Sequence, residues 1–201
     1  MDERRGVHEG RPPGLLGAAR LPHARRPVEG RALLGRADVT VASPARFQPP
    51  VPQPNRHTLD LQWLQRLRAE GTDRLLPDPP APPSLVFQGI DEFNRGAFWH
   101  CHETLEEVWR ETPYPLKLFY YGLIKVAVGF EHVGRHHQRS AMSQLTAAVA
   151  NLEPFLPVFL GVRVAPLVAE VNTWLDPLRV PDVPWAELDA LARPKMMLAL
   201  A

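Results

Sequence analysis

Apolar residues recur at the helical spacing of three and four positions from Ser84 onward, and before Ser84 in only one stretch. That earlier stretch is Thr58 to Glu70, where Leu59, Trp63, Leu64 and Leu67 share a stripe and Gly71 supplies the stop. After Ser84, read as an N-cap, Leu85, Ile90, Phe93 and Phe98 anchor a first helical hairpin that turns at Gly96. Its second helix, Ala97 to Glu111, places Phe98, His102, Leu105 and Trp109 at i, i+4, i+7 and i+11, which is one face, and ends at Pro113 and Pro115. A central helix from Leu116 to Val133 carries Leu116, Phe119, Tyr120, Leu123, Ala127 and Phe130 on a broad stripe. A fourth runs from His137 to Phe155 with Ala141, Leu145, Ala148 and Leu152 inward, closed by Pro154 and Pro157. A fifth, Val164 to Leu175, contributes Leu167, Val168, Val171 and Trp174. The tail holds one short turn, Trp185 to Leu191, and is expected to fray after Pro194.

These periods predict an all-α fold, a compact bundle of about five antiparallel helices arranged as hairpins, because short connections favour antiparallel neighbours. Asn94-Arg95-Gly96-Ala97-Phe98 precedes His102 and Leu105 much as His132-Val133-Gly134-Arg135 precedes Ala141 and Leu145, a faintly tetratricopeptide-like outline. The chain then divides into residues 1–56, 57–83, 84–177 and a tail, 178–201. Proline placement supports this division, since fourteen of the 23 prolines lie in the first 84 residues. Met1 to Arg56 has no sustained apolar period and is expected to be disordered. Ten arginines face five acids there, so a nucleic-acid arm or a transit peptide is conceivable, but neither an apolar face nor an aromatic series supports it. A translation start near Val51 or Leu59 is the alternative. Pro77 to Pro83 reads as a stiff, extended spacer.

Charge narrows the function. The net charge of +1 offers no field to steer a polyanion, so no nucleic-acid partner is expected. The longest near-continuous apolar run, Leu118 to Phe130, is interrupted by Lys125 and is shorter than the roughly 20 residues a membrane helix needs. The single cysteine, Cys101, excludes an internal disulfide framework, and a cytoplasmic location is the default for such a chain.

Candidate chemistry concentrates on the second helix of the first hairpin. His102 falls in the middle of its apolar stripe, Glu106 at the edge, and Glu103 and Glu107 outward. A histidine and a carboxylate entering the core cost several kcal/mol unless each finds a partner. On the central helix Gly122, Lys125, Gly129 and His132 share the face opposite the broad stripe, where the glycines would let another helix come close. Lys125 or His132 could then complete a cluster with Glu106. Three readings follow: a structural hydrogen-bond network of His102, Glu106 and Arg110; a metal site of His102 and Glu106 with His132 and Glu103 behind them; and metal-free acid–base chemistry by Glu106 and His132. His-Glu-x-x-Glu at 102–106 lacks the second histidine of the zinc-protease pattern. His136 and His137 read as a solvated turn, Cys101 as a small core residue, and Trp99 and Trp109 as core or groove-lining residues. No phosphate loop or nucleophile elbow is present, and no cofactor is expected.

Three pieces together resemble a known family: Phe93-Asn94-x-Gly96-x-Phe98, then His102-Glu103-x-Leu105-Glu106-x-x-Trp109-Arg110, then Gly122-Leu123-Ile124-Lys125-x-Ala127-Val128 followed by His132. Over about Leu85 to Leu175 the chain is similar to DUF309, small helical proteins of bacteria and archaea without an established activity. The resemblance implies an all-α fold and a polar cluster around His102, Glu106 and His132. The family usually has glutamine at the position of Lys125, and an ammonium beside the ligands would repel a metal ion. The expected site is therefore the cluster His102, Glu103, Glu106, Trp109, Arg110, Lys125 and His132, with no metal. The expected function is a non-catalytic module that binds a protein or peptide, the alternative a metal-binding protein or hydrolase-type enzyme using that cluster.

Overall fold

The first helix, α1 (Arg56–Glu70), begins where Asn55 caps it, its side-chain oxygen accepting the Thr58 N–H at 3.0 Å. It stops at Gly71, whose φ of 87° suits glycine and whose N–H donates to the Leu67 carbonyl. The computed structural model describes residues 55–199, so the expectations attached to the chain before Asn55 lie outside the described residues. Leu64 and Leu67 are buried, and Trp63 stacks on Tyr114 with ring centroids 6.1 Å apart.

A single turn, α2 (Thr72–Leu75), leads into the non-helical proline stretch. Helix α3 (Ser84–Asn94) starts one residue earlier than a Ser84 cap would place it. Ser84 is the first helical residue and makes no cap bond; Pro83 precedes it with φ already at −59°, and its carbonyl accepts the Val86 N–H. Gly96, at φ 84°, turns the chain into α4 (Phe98–Glu111). Then follow α5 (Lys117–Gly134), α6 (Gln138–Leu152) with a 3-10 turn Glu153–Phe155, a two-residue β-hairpin of β1 (Val158–Phe159) and β2 (Val162–Arg163), α7 (Val164–Leu178) and α8 (Trp185–Ala190). The fold is all-α, and among the described residues no helix is long and apolar enough to cross a membrane.

Helix α5 is the centre, as its broad stripe predicts, because eleven of its eighteen residues are buried. Phe130 is fully buried with the rings of Phe93, Phe98 and Trp174 at 6.0, 5.9 and 5.4 Å, so four helices meet on one side chain. The glycine face of α5 receives α6. A Cβ on Gly122 would lie 2.7 Å from Leu152, and one on Gly129 2.4 Å from Leu145, so α6 approaches as closely as those glycines foreshadow. Ala141, Leu145, Ala148 and Leu152 of α6 are fully buried there.

The chain after Pro194 does not fray. Met196 is buried, and its N–H and carbonyl both bond the Asn94 side chain at 2.9 Å. Leu198 bridges Val162, and the Ala199 N–H donates to the Gly161 carbonyl at 2.7 Å. Helical periodicity carries no information on a segment held by one asparagine and a short strand edge, which is why the tail reads as loose in sequence.

Candidate functional site

Helix α4 has α3 on one side and α5 on the other, and this sets which of its residues are covered. The buried positions are Phe98, Cys101, Leu105 and Val108, so the covered stripe is displaced toward Cys101 and Val108. His102 and Trp109, expected in its middle, lie on its flank and are half-buried. The His102 and Glu106 side chains retain 20% and 34% of their exposure, so the pair does not enter the core as the stripe implied. The burial cost that made the pair conspicuous is therefore largely absent.

Along this flank a cavity of about 250 Å³ opens between α4, α5 and α6, with Arg56 at its rim. It brings together four of the seven expected residues, His102, Glu106, Trp109 and Lys125, and adds Arg56, Tyr121, Ile124, Val128 and Gln144. The imidazole Nε2 of His102 stands 4.0 Å from a Glu106 oxygen, beyond hydrogen-bond reach. Arg110 donates to that same oxygen at 3.0 Å. The carboxylate is thus held by a guanidinium one turn on, and Nδ1 of His102 is buried without a hydrogen-bond partner. Lys125 donates to the Gln144 side-chain oxygen at 3.2 Å and sits 4.4 Å from the Tyr121 ring centroid. The Arg56 guanidinium lies over both Trp109 and Tyr121, at 4.5 and 4.4 Å, and Lys117 is 4.7 Å from the Trp109 ring.

The remaining expected residues are elsewhere. Glu103 is exposed and lines no part of this cavity, and Arg110 touches it only through Glu106. His132 sits two turns down α5 from Lys125, with its ring 5.8 Å from that of His137 and its Nδ1 buried without a partner. Burial first, then the charges of His137 and Arg135, lowers its pKa below the ordinary 6.5. An imidazole held below its unfolded value takes up a proton later than the unfolded chain does, so its contribution is intact above pH 6.5 and is lost as the pH falls below it. Unfolding free energy measured against pH should therefore decline below about pH 6.5, and His132→Asn should remove part of that decline. An unchanged acid slope in His132→Asn would count against this role.

Tyr121 was missed, although Tyr121, Lys125 and Val128 follow helical spacing, because the apolar stripe of the central helix runs through its neighbour Tyr120. Arg56 and Gln144 come from distant helices, and no local pattern points to them. Among the described residues no three His, Cys, Asp or Glu side chains gather in ligating geometry. Cys101 is fully buried, and burial ahead of the Glu92 charge pushes its thiol up to about 12. It is a core residue and no nucleophile at neutral pH.

A second cavity, about 640 Å³, lies on the other flank of α4. Pro80, Pro83, Leu85, Val108, Leu116 and Tyr120 give it apolar walls, and Glu107, Arg110 and Glu111 edge it. Apart from Arg110, the candidate cluster included none of these, because the proline stretch reads as a spacer and only the tertiary packing turns it into a wall.

Comparison with curated proteins gives no match. Residues 86–144 match the family described as Domain of unknown function (DUF309). The matched span runs from the first turns of α3 into α6 and carries every lining residue of the smaller cavity except Arg56. It also contains the His102-Glu103-x-Leu105-Glu106-x-x-Trp109-Arg110 run, so the stretch that resembles this family in sequence is the stretch its model matches.

Proposed function

We propose that the helical domain is a non-catalytic peptide-binding module and that the peptide lies in the larger cavity. The observation that carries this reading is the shape and chemistry of that groove: a 640 Å³ trough with apolar walls, one of them built from prolines. A proline wall has little conformational freedom to lose, so binding against it costs less ordering entropy than binding against a flexible loop. Glu107 and Glu111, one helical turn apart and both exposed, edge the trough with negative charge, and Arg110 between them is paired with Glu106 at 3.0 Å. The ligand that fits is a short peptide with apolar anchors and a lysine or arginine beside them. In this reading the hairpins act as a short helical repeat does, as a scaffold offering a groove.

The test is fluorescence anisotropy of the full chain with labelled peptides of matched length, apolar with a basic flank, apolar with an acidic flank, or wholly polar. The basic-flanked peptides should bind best. Leu85→Asp should weaken them by at least about tenfold, the order expected for a charge set into an apolar anchor pocket, and Glu107→Lys should abolish the preference for a basic flank. Equal binding of all three classes, or affinity untouched by Leu85→Asp in a folded chain, would defeat the proposal.

A further inference from the structure

The smaller cavity holds one charge that its surroundings leave unmatched. Lys125 is half-buried, its contacts are the neutral Gln144 oxygen and the face of Tyr121, and it makes no ion pair among the described residues. The other charged side chains that line the cavity, Glu106 and Arg56, are each paired. Glu106, which would repel an anion, is engaged by Arg110 at 3.0 Å, and Arg56 has Asp60 at 3.8 Å. One positive charge remains, in a recess where the surrounding protein strengthens attraction to an opposite charge relative to bulk water. Gln144 spends its oxygen on Lys125, which leaves its amide N–H groups as further donors beside the ammonium. Trp109, Ile124 and Val128 supply apolar wall, and about 250 Å³ admits more than a bare ion.

We propose that this cavity binds a small organic monocarboxylate with an apolar or aromatic body. Its carboxylate sits at Lys125 and Gln144, and its body lies against Trp109, Ile124 and Val128. A single unmatched cation suits a single negative charge; a phosphate monoester, carrying close to two at neutral pH, suits it less well. The site is independent of the peptide groove, because the two cavities share no lining residue. Failure of one proposal therefore leaves the other standing.

Calorimetric titration of the full chain with sodium benzoate tests it, with inorganic phosphate and benzylamine titrated alongside. Benzoate should bind at one site per chain and weaken as salt is added. Lys125→Met keeps the stem and removes the charge, and should cost about tenfold or more in benzoate affinity, while Lys195→Met, an exposed lysine that lines no part of this cavity, should change nothing. Lys125→Gln, which retains a polar group in the cavity, should show the same loss and guards against a folding defect in the methionine variant. Absence of benzoate binding to the wild type, tighter binding of phosphate or benzylamine, or benzoate affinity unaltered in both Lys125 variants would overturn the proposal.

Discussion

Phe130→Ala should destabilise the domain by about 3 to 5 kcal/mol, the range for deleting a large aromatic from a packed core. The reason is position as much as size. Phe130 is fully buried and touches Phe93 from α3, Phe98 from α4 and Trp174 from α7, so its removal leaves a void bordered by three helices besides its own. Those rings are themselves held by neighbours and can close the void only in part. Chemical denaturation followed by far-ultraviolet circular dichroism measures the loss. Trp99, 48% exposed, is the comparison, and Trp99→Ala should stay within about 1 kcal/mol. A Phe130→Ala cost as small as that of Trp99→Ala would mean that the helices do not meet on this side chain.

Gly129→Ala should be destabilising by about 2 kcal/mol, although alanine is the better helix former. Alanine in a helix interior gains about 1 kcal/mol over glycine. Against this, its Cβ would stand 2.4 Å from Cδ2 and 2.7 Å from Cγ of Leu145, a fully buried side chain with no room to withdraw. Overpacking of that kind costs up to about 3 kcal/mol, and the clash wins. Gly134→Ala is the matched control at the end of the same helix, where a Cβ meets nothing within 4 Å. The same chemical change should there be neutral or stabilising by up to about 1 kcal/mol. Equal signs for the two substitutions in thermal denaturation would show that helix propensity, and not the approach of α6, governs Gly129.

Both predictions rest on positions legible in the sequence. Phe130 stood on the apolar stripe of the central helix, and Gly129 stood on the face where small residues invite a neighbour. The five main helices, the turn at Gly96 and the inward residues of α6 were legible for the same reason. Each depends on spacing of 3.6 residues and on chain breakers within the segment itself, and local interactions of that kind leave a periodic trace. The His-Glu-x-x-Glu-x-x-Trp-Arg run likewise marked the stretch of α4 where the smaller cavity opens.

What periodicity could not decide was which flank of each helix its neighbours would cover. For α4 the stripe containing His102 and the stripe containing Cys101 are adjacent and almost equally apolar. Only the packing of α3 against one side displaced the covered strip and left His102, Glu106 and Trp109 at the mouth of a cavity. His132, on the same face of α5 as Lys125, fell outside that cavity. Arg56 reached it from a helix more than forty residues away in sequence. The proline stretch became a groove wall, and the tail became part of the core through Asn94 and Met196. These outcomes arise from contacts between segments far apart in the chain. A periodic pattern records which residues of a helix are apolar; it does not record which other helix arrives to cover them, and that was decided by the tertiary structure alone.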